Sequence, residues 1–243
     1  MPSVGLLYPG FGAEDDFPRL EQRLGGDLRL PLVHTSVGED AHRVDALLDL
    51  GGDARLAEGA KTLLAEHLPD SVMWACTSGS FVFGWDGAHD QVRRLEEVTG
   101  LPTSSTSLAF VEACHALGLE RVSVAASYPH DVAEHFVELL NRGGIDVTAM
   151  GSQEIVTAAE VGTLGYEQVQ AIVTAADLSN GAQAVLVPDT AMHSLEWVDQ
   201  LEATAGVPVL TANQVTVWQG LKLLGDVPRY DTLGTLFRPT SGD

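Results

Sequence analysis

The chain has 243 residues, 45% of them hydrophobic, enough for one large domain or two of about 120 residues with packed cores. Thirty-four acidic against thirteen basic side chains give a formal charge of −21, a field that repels nucleic acid and anionic membrane, and only Lys61 and Lys222 supply ammonium groups. No apolar run approaches the ~18 residues of a membrane span, and the first residues lack a basic and apolar signal segment, so a cytoplasmic protein with neither nucleic-acid nor membrane partners is expected.

Taken in order, residues 4–8 read as a first strand, Pro9-Gly10-Phe11-Gly12 as a turn, and 14–24 as a helix. Residues 28–33 form a second predicted strand, 41–50 an acidic amphipathic helix stopped by Gly51-Gly52, and 55–67 a helix on the spacing of Leu56, Ala60, Leu63 and Leu64. Pro69-Asp70 turns the chain into a buried strand that ends in a thiol, Val72-Met73-Trp74-Ala75-Cys76. A surface helix over 90–99, a turn at Gly100-Leu101-Pro102 with a short strand, and a helix over 107–117 closed by Gly118 follow. The pattern then restarts, with strands at 121–126, 145–150, 184–187 and 207–210 and helices at 131–141, 166–176, 194–204 and 214–224. Strands alternating with helices predict an α/β protein with parallel sheets.

The second half overlays the first. Val4-Gly5-Leu6-Leu7-Tyr8-Pro9 matches Val124-Ala125-Ala126-Ser127-Tyr128-Pro129, and Thr99-Gly100-Leu101-Pro102 matches Ala205-Gly206-Val207-Pro208. Between these anchors Cys76-Thr77 falls opposite Asp189-Thr190. The fold expected is two pseudo-symmetric domains, each a mostly parallel sheet flanked by helices, divided as 1–118 plus 213–243 and 119–212. Equivalent strand ends would meet at a cleft between them, with a thiol and a carboxyl facing each other.

Cys76 is followed by Thr77-Ser78-Gly79-Ser80, a hydroxyl-rich turn whose free N–H groups suit an anion, and a helix starting there would lower the thiol pKa through its dipole. The plain alternative is a buried structural thiol, the reading given to Cys114 in its apolar helix. Asp189 reads either as a general acid/base or as the N-cap of the next helix, and Thr77, Ser78 and Thr190 as carboxylate ligands or caps. Neither cysteine has a disulfide or zinc-type spacing, and the His residues, including His34 with His42 and His130 with His135, show no metal spacing. No GxxxxGK[ST], GxGxxG or GxSxG motif occurs, so neither a nucleotide nor a Ser-hydrolase reading has support and no cofactor or metal is expected. Glu14-Asp15-Asp16 and Glu39-Asp40 read as solvated faces.

Gly5-Leu6-Leu7-Tyr8-Pro9, Ala75-Cys76-Thr77-Ser78-Gly79, Ser127-Tyr128-Pro129, Pro188-Asp189-Thr190 and the run Gly206-Val207-Pro208-Val209-Leu210-Thr211-Ala212-Asn213-Gln214 together resemble the aspartate/glutamate racemase superfamily. Within it, the chain is similar to the branch of maleate cis-trans isomerases and arylmalonate decarboxylases over nearly its whole length. The resemblance implies a cofactor-free site between two domains with two opposed positions, usually both Cys. Cys76 matches the first and would add to a substrate double bond as in the isomerases. Asp189 stands where the second Cys is expected, the position whose thiol protonates the enediolate in the decarboxylases. By the same resemblance Tyr128, its mate Tyr8, and Asn213 at the start of the last helix would contact substrate, Asn213 also reading as that helix's N-cap. The activity implied is a cofactor-independent isomerase acting on a small carboxylate. A malonate-type decarboxylase, a racemase and a non-catalytic small-carboxylate binder are the alternatives, and homo-oligomerisation is left open.

Overall fold

In the computed structural model, which describes residues 1–10, 12–225 and 227–238, strand and helix alternate along the chain. The first half runs β1 (Val4–Tyr8), α1 (Asp16–Arg23), β2 (Leu32–His34), α2 (Val44–Leu50), α3 (Asp53–Glu66), β3 (Ser71–Trp74), α4 (Ser78–Phe81), α5 (Gly84–Thr99), β4 (Thr103–Ser105) and α6 (Thr106–Ala116). The second runs β5 (Arg121–Ala126), α7 (His130–Arg142), β6 (Asp146–Ser152), α8 (Ala158–Val161), α9 (Tyr166–Thr174), β7 (Val185–Val187), α10 (Val198–Ala205), β8 (Val209–Thr211) and α11 (Ala212–Lys222), closed by a 3-10 turn at Thr235–Phe237. Phe11 of the expected first turn, Asp226, and residues 239–243 of the closing segment lie outside the described residues.

Two parallel sheets result, in the orders β2-β1-β3-β4 and β6-β5-β7-β8. Adding four to each strand number of the first gives the second, so the repeat seen in the sequence is a repeat of topology. The central strands β1 and β3 are buried along their whole length and pair from Val4↔Ser71 to Leu7↔Trp74. Burial on both faces is why they read as continuous apolar runs rather than alternating ones. Helices cover them with one apolar stripe each; α7 buries Val132, Ala133, Phe136, Leu139 and Leu140 at helical spacing. Gly100 and Gly206 end α5 and α10 in the left-handed conformation, at φ +66° and +71°, which a residue with a Cβ adopts at a cost.

One apolar cluster runs through both halves, from Leu6, Met73 and Phe110 to Val124, Phe136 and Leu210. Smaller clusters cover the other faces of the two sheets. The equivalent helices α6 and α11 meet where Thr106 and Thr216 share a 2.6 Å hydrogen bond. The two-domain α/β architecture expected from the sequence is the one observed.

Several boundaries moved for physical reasons. The second strand begins at Leu32, not residue 28, because Pro31 has no N–H to give to a ladder, although Arg29 and Pro31 still accept from Val4 and Leu6. Of residues 41–43, expected to begin the amphipathic segment, His42 donates its N–H across to Val156 of the second half, and α2 starts at Val44. The helix expected from residue 90 starts at Gly84, the helix considered after Cys76 is the single turn of α4, and the short α8 was not expected at all. Among the described residues no helix is long and apolar enough to cross a membrane.

Candidate active site

Cys76 lies two residues past the end of β3, and Asp189 two residues past the end of β7. Because the sheets repeat, the two occupy equivalent points, and both open onto one cavity of about 290 Å³. Tyr8, Ser78 and Thr190 line it as well, together with Gly12 and the first-half segment 37–42. Leu47, Leu50, Ala158, Ala159 and Ala191 make its apolar wall.

The Cys76 side chain is 3% exposed. Its sulfur accepts the Gly79 N–H at 3.3 Å and stands 3.9 Å from the Ser78 hydroxyl. Gly79 is required here by space, since a Cβ would sit 3.1 Å from both that sulfur and the Trp74 ring. Burial pushes the thiol pKa up to about 12, the Gly79 and Ser78 contacts opposing this and the Asp189 charge adding to it. The sequence expectation of a lowered pKa is therefore corrected. A four-residue α4 offers too small a dipole to offset full desolvation of a thiolate.

Asp189 is 4% exposed and has both oxygens engaged. Oδ1 accepts the Ala191 N–H at 2.9 Å, and Oδ2 accepts the hydroxyl of Ser127. It caps no helix, because α10 starts nine residues later at Val198. Both tyrosines secure its flanks. Tyr128 donates its hydroxyl to the Pro188 carbonyl at 2.6 Å, and Tyr8 reaches from the first half to the Thr190 carbonyl at 3.0 Å while accepting the Ala13 N–H. Burial raises both phenol pKa values well above their usual range, and the Asp189 charge acts in the same direction.

Of the eight residues singled out from the sequence, Tyr8, Cys76, Ser78, Asp189 and Thr190 share the cavity wall, and Thr77, Tyr128 and Asn213 stand behind it. Thr77 occupies the N-cap position of α4 without a capping bond, and its buried hydroxyl has no partner among the described residues. Asn213 is not the cap of α11; Thr211 is, in a capping box with Gln214. The Asn213 amide donates instead to Asp16 at 3.1 Å, and its own oxygen has no partner among the described residues. Cys114 is fully buried within α6.

Glu39 and Asp40 are exposed, as expected of a solvated face, whereas Asp16 of the first acidic stretch is not. Asp16 is 4% exposed and accepts the backbone N–H groups of Ser194 and Leu195. Asp40 accepts those of Ala158 and Ala159 at the start of α8. His42, weighed in the sequence only for metal spacing, lines the cavity and is bound to the second half through Val156 and Ile155. Ser127 appeared only inside a motif, with no role. No pattern in the sequence pairs these residues, because each partner lies more than sixty positions away. Among the described residues no group of three or more His, Cys, Asp or Glu could hold a metal ion.

A family model described as arylmalonate decarboxylase matches residues 53–237, well over half of the chain. The chain belongs to the arylmalonate decarboxylase family. A relative within reach of this family is the maleate isomerase of Nocardia farcinica, 30% identical over 235 residues that cover 93% of this chain and 90% of that protein. The arylmalonate decarboxylase of Bordetella bronchiseptica is 27% identical over 134 residues, 54% of this chain and 55% of that protein. A solved structure of the Nocardia farcinica maleate cis-trans isomerase, with serine replacing one cysteine and a covalently bound succinylcysteine intermediate, superposes with a TM-score of 0.88 at 24% identity and covers 99% of both chains. The family reached from the motifs is thus the family found.

Proposed function

We propose that this protein is a cofactor-independent isomerase of the maleate cis-trans isomerase type acting on a small carboxylate, with Cys76 as nucleophile and Asp189 as the opposing acid/base. The observation that carries this reading is the opening of a thiol and a carboxyl into one cavity from equivalent ends of β3 and β7. The substrate carboxylate is held by the hydroxyls of Ser78 and Thr190, and the unpartnered Thr77 hydroxyl strengthens that seat. Tyr8 contributes to it from the cavity wall, and Tyr128 and Asn213 support it from behind.

Sulfur bonds to one carbon of a double bond conjugated to the carboxylate, and the π pair moves onto that carboxylate as an enediolate. The former double bond is now single and rotates. The pair then returns, the C–S bond breaks, and the other geometric isomer leaves. Asp189 gives or takes a proton at the neighbouring carbon from the opposite side. The covalent succinylcysteine in the Nocardia farcinica enzyme supports a thiol adduct as the intermediate. A cytoplasmic setting, where both thiols stay reduced, and the division 1–118 plus 213–243 against 119–212 belong to the same reading. The packing of α11 on α6 and β3 supports that division.

The family model itself favours one second reading, a malonate-type decarboxylase using the same seat. Proton NMR in deuterated water with maleate, aryl- and alkylmalonates and amino-acid enantiomers separates isomerisation, loss of carbon dioxide and proton exchange. Isomerisation abolished in Cys76→Ala, and reduced by roughly 10²–10⁴ in Asp189→Asn, is expected. Turnover that survives Cys76→Ala would overturn the nucleophile assignment.

A further inference from the structure

A thiol whose pKa burial pushes up to about 12 must release its proton as sulfur bonds to carbon. In the proposed reaction Asp189 serves at the carbon, so the thiol proton needs its own acceptor. The carboxylates of segment 37–42 are committed elsewhere. Both oxygens of Asp40 take the N–H groups of Ala158 and Ala159, at 2.8 and 3.1 Å, and Glu39 is paired with the Arg43 guanidinium at 3.0 Å. The cavity wall has no Lys or Arg, and His42 is its one imidazole.

The His42 ring is fixed on three sides. Its backbone N–H donates to the Val156 carbonyl at 2.8 Å, its Nδ1 bonds the Ile155 carbonyl at 2.8 Å, and its edge or face meets the Tyr128 ring at 4.9 Å and 86°. A carbonyl only accepts, so Nδ1 carries the hydrogen and Nε2 holds the lone pair. Among the described residues that tautomer leaves Nε2, with no hydrogen-bond partner, as the one proton-accepting nitrogen of a side chain that lines the same cavity as the thiol.

We infer that His42 is a further catalytic residue: Nε2 accepts the Cys76 proton through a bridging water in the cavity that both side chains line as sulfur attacks, and returns it by the same route when the C–S bond breaks. The S–H bond is exchanged for an N–H bond, sulfur's pair goes to carbon, and the imidazolium so formed balances the enediolate charge. Nothing is consumed over the cycle. The inference rests on Cys76 being the nucleophile. The titratable groups around His42 are Glu39, Asp40 and Arg43 on its own segment, Glu154 and Glu160 on the segment that clamps it, Tyr128 beside its ring, and Cys76 and Asp189 on the cavity wall.

Alkylation of Cys76 by iodoacetamide, followed residue by residue by mass spectrometry between pH 5 and 10, tests the pairing without any substrate. Wild type should show a rate limb well below the pH range of an unassisted thiol. His42→Asn places an amide N–H where Nδ1 stood, keeping the bond to Ile155 while removing Nε2. It should lose that limb and react at least about tenfold more slowly at pH 7, with thermal unfolding unchanged; His42→Gln should behave alike. Turnover in both variants should fall by roughly 10²–10⁴ with little change in KM. A wild-type profile without the limb, or an unaltered profile in a folded His42→Asn, would overturn the inference. Failure of the isomerase reading looks different: no carboxylate would be turned over, while the alkylation limb would still depend on His42.

Discussion

Cys76 and Asp189 hold equivalent positions, but the fold supports them unequally. The sulfur receives one N–H bond from its own turn. Asp189 is braced by Ser127 and Ala191 at its oxygens and by two tyrosines at the carbonyls on either side of it. Tyr8 and Tyr128 are repeat mates in the sequence, yet both serve the second-half loop, so the local symmetry is broken in favour of the carboxyl. Removing either hydroxyl leaves a buried carbonyl without its donor, at a cost of about 1–3 kcal/mol. Tyr8→Phe should cost more than Tyr128→Phe, because the Ala13 N–H loses its acceptor as well. Urea unfolding of the two variants gives the ranking directly. Tyr128→Phe should lower kcat more than it raises KM, since it loosens Asp189, whereas Tyr8→Phe also releases Thr190 of the carboxylate seat and should raise KM as well; equal stabilities would show that the Ala13 bond carries no weight.

The elements that position the cavity are joined by contacts between the halves. Asp40 supplies both of its oxygens to the first N–H groups of α8, completing a cap that Thr157 starts from its own side by accepting from Glu160. Asp40→Ala should therefore cost about 0.5–2 kcal/mol, as loss of a helix cap does. Hydrogen exchange is the sharper readout: the Ala158 and Ala159 amides should exchange faster while those of β1 and β3 do not change, and unaltered exchange at α8 would remove the clamp from the picture. The sequence showed the strands because parallel central strands are apolar throughout, and it showed the helix ends at Gly100 and Gly206 because few other residues take that conformation cheaply. It did not show α8, four residues long, whose cap comes from 118 positions away. Nor did it show the start of α5, where Gly84 and Gly87 weaken local helix propensity and packing decides instead.

At the scale of the whole molecule the internal repeat made the opposition of Cys76 and Asp189 legible before any coordinates, because it is a property of topology. Which acidic residues are buried was not legible, because it depends on how the halves close. Asp16 begins α1 in the first half, and its carboxyl binds Ser194 and Leu195 in the second and the Asn213 amide of α11, while its neighbour Asp15 meets His193 at 2.6 Å. Burial raises the Asp16 pKa from its ordinary 3.8, and those three hydrogen bonds offset the rise only in part. A carboxyl that titrates higher when folded binds its proton more tightly in the folded state. Its stabilising contribution is thus fully present below the unfolded pKa and is lost as pH rises through the folded one, by about 1.4 kcal/mol per unit of upward shift. The lowered pKa values of Glu39, Asp45 and Asp177 act in the opposite sense, but they cancel when wild type is compared with Asp16→Asn. The variant keeps an oxygen for the Ser194 and Leu195 N–H groups and removes the titration. Unfolding free energies from urea titrations at pH steps from 4 to 8 should show wild type losing stability relative to Asp16→Asn as pH rises, then holding a constant difference. A difference that is flat across the range would mean that the carboxyl joining the two halves titrates alike in the folded and unfolded chain.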